Sequence, residues 1–268
     1  MMPGEARTTD FLLSTATLMV GPRDKLMELT PEKHSLGLIK NVQVTTDPQF
    51  VTLTQGVEAI EVASVNVANP SRISGEVYEY SARNLAYGSG IDASGVGFDP
   101  ITTKAALGAP ITAGGASVTL ATGSATTAGI VAGSWIVIQD TNTPDKVFPV
   151  KVGSIAADVV TLAAGHELPA GTAFAVATTD IYRVHNIQVG SQAKRPSFGV
   201  KLVGLVPETG EPVTLLFPKV RITRGMSLAF QTDNFANMPF EFSPQALVST
   251  DPFYADFGST KLFSVFKR

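Results

Sequence analysis

The sequence predicts a mainly β fold: a β-sandwich or barrel with one flanking α-helix, interrupted by an inserted small β-barrel domain. Three observations carry that expectation. Apolar and polar residues alternate at a period of two in several runs, such as Val213-Thr-Leu-Leu-Phe-Pro-Lys-Val-Arg-Ile-Thr223. One segment, residues 74–88, changes to a helical period. Between 106 and 179 the composition shifts: sixteen Ala, eleven Thr and nine Gly fill nearly half the stretch, which holds only six charged residues. Ordinary charge density on both sides makes 1–105 and 180–268 one discontinuous host domain, with 106–179 as the insert.

The host strands follow in order. Residues 11–20 are apolar and stop at Gly21-Pro22, a turn. In 38–45, Val42 and Val44 share one face and Asn41 and Gln43 the other, and Thr46-Asp47-Pro48 punctuates the run. Residues 50–54 and 57–67 are two further β-branched runs parted at Gly56. The helical segment then has Ser74 as N-cap, Glu76 at the positive end of the dipole and Gly88 as the stop. Its spacing puts Tyr78, Ala82, Leu85 and Ala86 on one face and pairs Glu79 with Arg83 on the other.

The insert contains an internal repeat. Ile111-Thr-Ala-Gly-Gly-Ala-Ser-Val-Thr-Leu-Ala-Thr-Gly123 echoes Ile155-Ala-Ala-Asp-Val-Val-Thr-Leu-Ala-Ala-Gly165, and Ala132-Gly-Ser-Trp-Ile-Val-Ile138 echoes Ala170-Gly-Thr-Ala-Phe-Ala-Val176. Two copies are too few for a solenoid but suffice for a small closed barrel of two related halves. Trp135 and Phe174, one residue out of step, are the expected core plugs.

Composition bounds the function. With 268 residues, 44% of them hydrophobic and 16% charged, the chain can bury a sizeable core. A net charge of -3 gives no basic surface on which to wrap nucleic acid. The absence of cysteine excludes disulfides, thiolate metal sites and a thiol nucleophile. No signal peptide is expected from Met1-Met-Pro-Gly-Glu-Ala-Arg-Thr-Thr-Asp10, nor membrane insertion from apolar runs as short as 11–20 and 130–138. His34, His166 and His185 lie far apart in sequence, and no phosphate-cradling loop or nucleophile elbow occurs. No enzyme activity, metal or cofactor is expected.

Ten of the fifteen phenylalanines lie between Phe198 and Phe266, and four of them, Phe230, Phe235, Phe240 and Phe242, fall within thirteen residues. Phe240 and Phe242 alternate around Glu241, so the phenylalanines face a core and Glu241 faces a lumen or a neighbouring subunit. This segment, with strand 213–223 before it, resembles the closing strands of the tail tube proteins of long-tailed, siphophage-like bacteriophages. The likeness extends over the strands of 11–67, the helix and the strands of 198–248.

The resemblance implies a structural protein that polymerises as stacked hexameric rings into a hollow conduit for the genome. It implies the chain itself as chief partner, along with tape measure, tail terminator and tip proteins. DNA would be in transit only, through a mainly acidic lumen. The site would be the virion tail, assembled in the bacterial host cytoplasm, with the insert on the outer tube wall. Lys194-Arg195 and the series Lys219, Arg221 and Arg224 are then expected on the outer wall or in subunit contacts. The alternative is a surface- or carbohydrate-binding β module such as a capsid decoration or adhesin protein. Trp135, the only tryptophan, leaves it little aromatic surface for sugar stacking.

Overall fold

The computed structural model describes residues 16–55, 60–93, 96–190, 195–206, 210–228, 236–259 and 261–267. The protein is mainly β. It divides into two compact units, one from the described residues of Met1–Phe98 and Gln188–Arg268, the other Asp99–Ile187. The first unit begins with strands β1 (Thr17–Gly21), β2 (Ile39–Thr46), β3 (Gln49–Gln55), β4 (Ile60–Ala68) and β5 (Ser71–Val77). The second holds β6 (Lys104–Ala105), β7 (Ser117–Thr119), β8 (Trp135–Asp140), β9 (Val147–Ala156), β10 (Val159–Leu162) and β11 (Thr179–Val184). The first resumes with β12 (Phe198–Leu205), β13 (Pro212–Arg224), β14 (Met238–Pro244) and β15 (Ser264–Phe266).

In the first unit seven antiparallel strands form one sheet in the order β1-β12-β13-β14-β5-β2. The long strand β13 carries β15 beside its first half and β14 beside its second. The register gathers one apolar face across the whole sheet: Val20 lies opposite Val200, Val200 opposite Phe217, Ile222 opposite Phe242, and Phe242 opposite Ile73. All six are buried. Tyr87 closes over this face, its ring edge-on to Phe198 at 5.2 Å between centroids. The opposite face is apolar only at the β1 end, where Met19 and Leu216 pack with Leu26, Leu29, Leu247 and Phe257. Beyond β13 it is polar.

Residues 74–88 are not one helix. Ser71–Val77 is strand β5, between β14 and β2, and the helix is confined to Ala82–Gly88. Ile73, Gly75 and Val77 are buried in alternation with Arg72, Ser74 and Glu76, so pairing on both edges overrides the helical spacing. The N-cap is Ser81, not Ser74: its hydroxyl accepts from the Asn84 N–H at 3.2 Å. Arg83 donates to the Lys33 carbonyl, and the Asn84 amide donates to the carbonyls of Leu36 and Glu79, each at 2.8 Å. Of the expected buried face only Ala86 is buried, with Tyr87 in place of Tyr78.

The second unit is wider than the compositional insert at both ends. Lys104–Ala105 pairs with Tyr182 and Ile181, so the charged flanks Lys104, Asp180 and Arg183 belong to it. Its six strands run β6-β11-β8-β9-β10-β7. The sheet closes on itself where the Gly108 N–H donates to the Thr119 carbonyl and the Ala121 N–H to the Ala106 carbonyl, both at 2.8 Å. The two Val-Thr-Leu-Ala segments pair antiparallel, Val118 opposite Val160. Equivalent positions match in burial (Val118 with Val160, Leu120 with Leu162), and Gly133 and Gly171 share a left-handed backbone at φ 85° and 90°.

The same equivalence corrects the expected plugs. Phe174 is buried, but its counterpart is Ile136, while Trp135 matches Ala173. Neighbours on a strand point to opposite faces, so burying Ile136 against Val150 turns Trp135 outward, half-buried and edge-on to His166.

Since β6 and β11 are paired neighbours, the unit's entry and exit strands lie side by side. Replacing 99–187 by a short Gly/Ser linker should leave a soluble, cooperatively melting first unit by circular dichroism. Loss of folded protein would show that the second unit is needed for that fold.

Asp251 ties three segments of the first unit together. Its carboxylate accepts from Arg23 at 2.8 Å, from Lys219 at 2.7 Å and from the Val248 N–H at 2.9 Å. The Lys219 bond leads in holding the carboxyl well below its ordinary value, with the Val248 N–H and Arg23 adding to it. The bound state thus favours the charged form, and its stabilisation is complete above the ordinary aspartate value of 3.8 and fades as pH falls below it. Asp251→Asn should lower Tm at about pH 7 and lessen the Tm drop between about pH 5 and pH 3 relative to the unsubstituted protein.

Candidate functional site

The first unit carries a β-ribbon with an exposed apolar face. The β2–β5 pairing ends with Thr46 opposite Ser71, and the β3–β4 pairing begins with Gln49 opposite Ala68. Between them Asp47-Pro48 faces Asn69-Pro70, and the Asp47 N–H donates to the Pro70 carbonyl at 3.0 Å. Proline supplies no N–H to a ladder, so two prolines at one level interrupt the sheet there. Beyond them β3 and β4 form a two-stranded sheet of their own, an arm that pairs with no other strand among the described residues.

The arm is amphipathic. The register puts Val51 opposite Val65 and Leu53 opposite Ala63 on one face, and Phe50 opposite Asn66 and Thr52 opposite Ser64 on the other. Val51, Leu53 and Val65 are between 61% and 66% exposed, and Phe50 is 55% exposed. An isolated two-stranded hairpin is marginal in water, and a contiguous apolar face on one marks a contact surface. The 50–54 run, and the 57–67 run from Ile60 onward, were legible as strands from β-branching, while 57–59 lie outside the described residues. Their exposure was not, because the same alternation describes a strand with its apolar face buried.

A second feature adjoins the arm's parent strand. The outer edge of β2 pairs with no strand among the described residues. At its Leu38 end lies a cavity of about 440 Å³ lined by Leu38, Lys40, Tyr78, Tyr80 and Ala236. The Lys40 ammonium sits 5.0 Å over the Tyr78 ring. The Tyr78 hydroxyl donates to Glu76 at 2.9 Å, the chief cause holding that carboxyl below its ordinary value. The Tyr80 hydroxyl oxygen is buried with no hydrogen-bond partner among the described residues.

The expected site residues fall on both sides of the sheet. Phe240 and Phe242 are buried at 1% and 0% exposure, their rings stacked at 5.7 Å. Glu241 lies on the opposite, polar face in a cavity of about 600 Å³ whose walls include Gln43, Thr45, Arg72 and Ser243. Its carboxylate sits 3.3 Å from the Arg72 guanidinium and accepts from the Thr223 hydroxyl at 3.2 Å. Phe230 and Phe235 lie outside the described residues, as does Lys194. Lys219 is committed to Asp251, Arg195 donates to the Ile222 carbonyl at 3.2 Å, and Arg221 and Arg224 are exposed.

The histidines remain separate: His34 accepts from the Thr30 N–H, His166 meets Trp135, and His185 meets the Asp99 carbonyl. Among the described residues no group of three or more acidic or histidine side chains could hold a metal ion, and no helix is long and apolar enough to cross a membrane. The chain matches no protein-family model and no curated protein.

Truncation separates the two faces of β14. Phe240→Ala or Phe242→Ala should cost about 3–5 kcal/mol, as for large core aromatics, in chemical denaturation of the unassembled subunit. Glu241→Gln should cost well under half of that, since its ion pair is partly exposed. Equal losses would overturn the facing of this strand.

Proposed function

We propose that this chain is a self-assembling structural protein, the subunit of a phage tail tube built from stacked hexameric rings that conduct DNA. The observation that carries the proposal is the arm: an apolar ribbon face left exposed by the described residues, continuous with a strand whose outer edge pairs with no strand among them. Open edges and uncovered apolar faces are hazards in a monomer, and a repeating assembly removes both by pairing them with identical neighbours. The resemblance of the closing aromatic strands to tail tube proteins supports the same reading. In that role the chain belongs to the virion tail, is assembled in the host cytoplasm, and meets tape measure, terminator and tip proteins. The second unit would then decorate the outer wall.

The polar face of β2, β5 and β14 is the best candidate for the lumen lining, because the opposite face is core. Its charge is mixed, Arg72 beside Glu241, which serves a duplex that must slide better than a basic surface would.

Negative-stain microscopy and sedimentation of the purified protein test the proposal. Rings or tubes with masses in multiples of about six subunits are expected. Val51→Asp with Val65→Asp should prevent association while leaving the melting of the subunit unchanged, because both residues are exposed there. A stable monomer at high concentration in near-physiological buffer would overturn the proposal, and compact trimers would favour a decoration or adhesin protein.

A further inference from the structure

We infer that the Asp99–Pro100 peptide bond is a self-cleavage site, with the Asp99 carboxylate as nucleophile and His185 as the group that activates the bond. An aspartate side chain can attack its own carbonyl carbon and close a cyclic anhydride. Proline makes the bond a tertiary amide, whose nitrogen leaves as a secondary amine. The chain holds three Asp–Pro bonds, at 47–48, 99–100 and 251–252. Among the described residues a histidine meets the carbonyl of the second: His185 Nε2 lies 2.8 Å from the Asp99 carbonyl oxygen. A carbonyl oxygen can only accept, so Nε2 carries the proton and donates it to the hydrogen bond.

The fold builds this contact. β6 and β11 pair antiparallel, Ala105 opposite Ile181 and Lys104 opposite Tyr182. The chain before Lys104 therefore runs beside the residues after Tyr182, which brings Asp99 to His185 across 86 positions of sequence. Asp99 follows the short turn Val96–Phe98, and Asp99 and Pro100 are both exposed, so water reaches the bond. The other two bonds are arranged differently. The Asp47 N–H is tied to the Pro70 carbonyl, while His34 meets Thr30 and His166 meets Trp135. The Asp251 carboxylate already accepts from Arg23, Lys219 and the Val248 N–H, which withdraws it from attack.

The step balances as a hydrolysis. An Asp99 Oδ bonds to the Asp99 carbonyl carbon, and the carbonyl oxygen becomes an oxyanion held by the His185 N–H. Collapse re-forms the carbonyl, breaks the C–N bond and leaves the electron pair on the Pro100 nitrogen, which takes a proton from water. The anhydride takes up the resulting hydroxide and opens to two carboxyl groups. The two chain crossings between the units fall at 98–99 and 187–188, and the cut lies one residue past the first. The second unit then stays tethered by the other crossing alone. β1 and β5 remain paired with β12 and β14 across the cut, so the nicked chain holds together until it is denatured.

The full-length protein held in near-neutral buffer tests this, followed by denaturing electrophoresis, intact mass and N-terminal sequencing. One cut is expected, giving a fragment that ends at Asp99 and one that begins with Pro100, with the other two Asp–Pro bonds intact. His185→Gln should slow the cut about tenfold or more, and Asp99→Ala should abolish it, in proteins whose circular dichroism matches that of the unsubstituted chain. Hydroxylamine should trap the anhydride as a hydroxamate on Asp99. Unfolding in concentrated urea should erase the preference for this bond, because His185 then no longer meets it. No fragment at all, fragments from all three bonds at similar rates, or a His185→Gln protein that cuts at the unsubstituted rate would each overturn the assignment. None of these results bears on the self-assembly proposed above, which microscopy reads separately.

Discussion

The first unit depends on one register. Five of its strands contribute to a single apolar face only because Val20, Val200, Phe217, Ile222, Phe242 and Ile73 align across four pairings. A slip of one residue anywhere would turn a strand's apolar set to the polar side. The sheet therefore holds its pairing through buried side chains, and Phe240 and Phe242 specify as well as stabilise. The bulges in β13 and β2 adjust the ladder without breaking this rule: the residues after each bulge return to the faces they need.

The same sheet explains why the arm is separate. β2 and β5 are paired up to Thr46 and Ser71, and nothing in the β-branched runs that follow would stop the ladder. Two X-Pro steps at one level do, by withdrawing N–H donors from both strands. What continues past them is a ribbon too small to cover its own apolar face. Local covalent chemistry at Pro48 and Pro70 thus leads to an exposed apolar surface.

The second unit reaches closure by another route. Two related halves each supply a Val-Thr-Leu strand, and antiparallel pairing of those strands about Val118 and Val160 brings the halves together. Backbone hydrogen bonds between 106–108 and 119–121 then join the sheet's ends. The charged residues near its boundary, including the Lys104–Asp180 ion pair at 2.6 Å, decorate the outside of paired strands and are invisible to a compositional boundary.

The sequence by itself determined the β class, the strand runs, the alternation at Phe240, Glu241 and Phe242, and the repeat in the second unit. Each of these is local: it depends on side-chain period, β-branching or turn residues a few positions apart. The tertiary structure alone decided that Ser71–Val77 is a strand, because its burial comes from β14 and β2, distant in sequence, and outweighs a helical spacing worth a few tenths of a kcal/mol per pair. It likewise decided that Ile136, and not Trp135, partners Phe174 in the barrel core, since a one-residue offset chooses between faces only once the pairing register exists. The arm is the clearest division. Its strands can be read from residue type, but whether an apolar strand face is covered depends on what the rest of the chain brings to it, and here the chain brings nothing among the described residues.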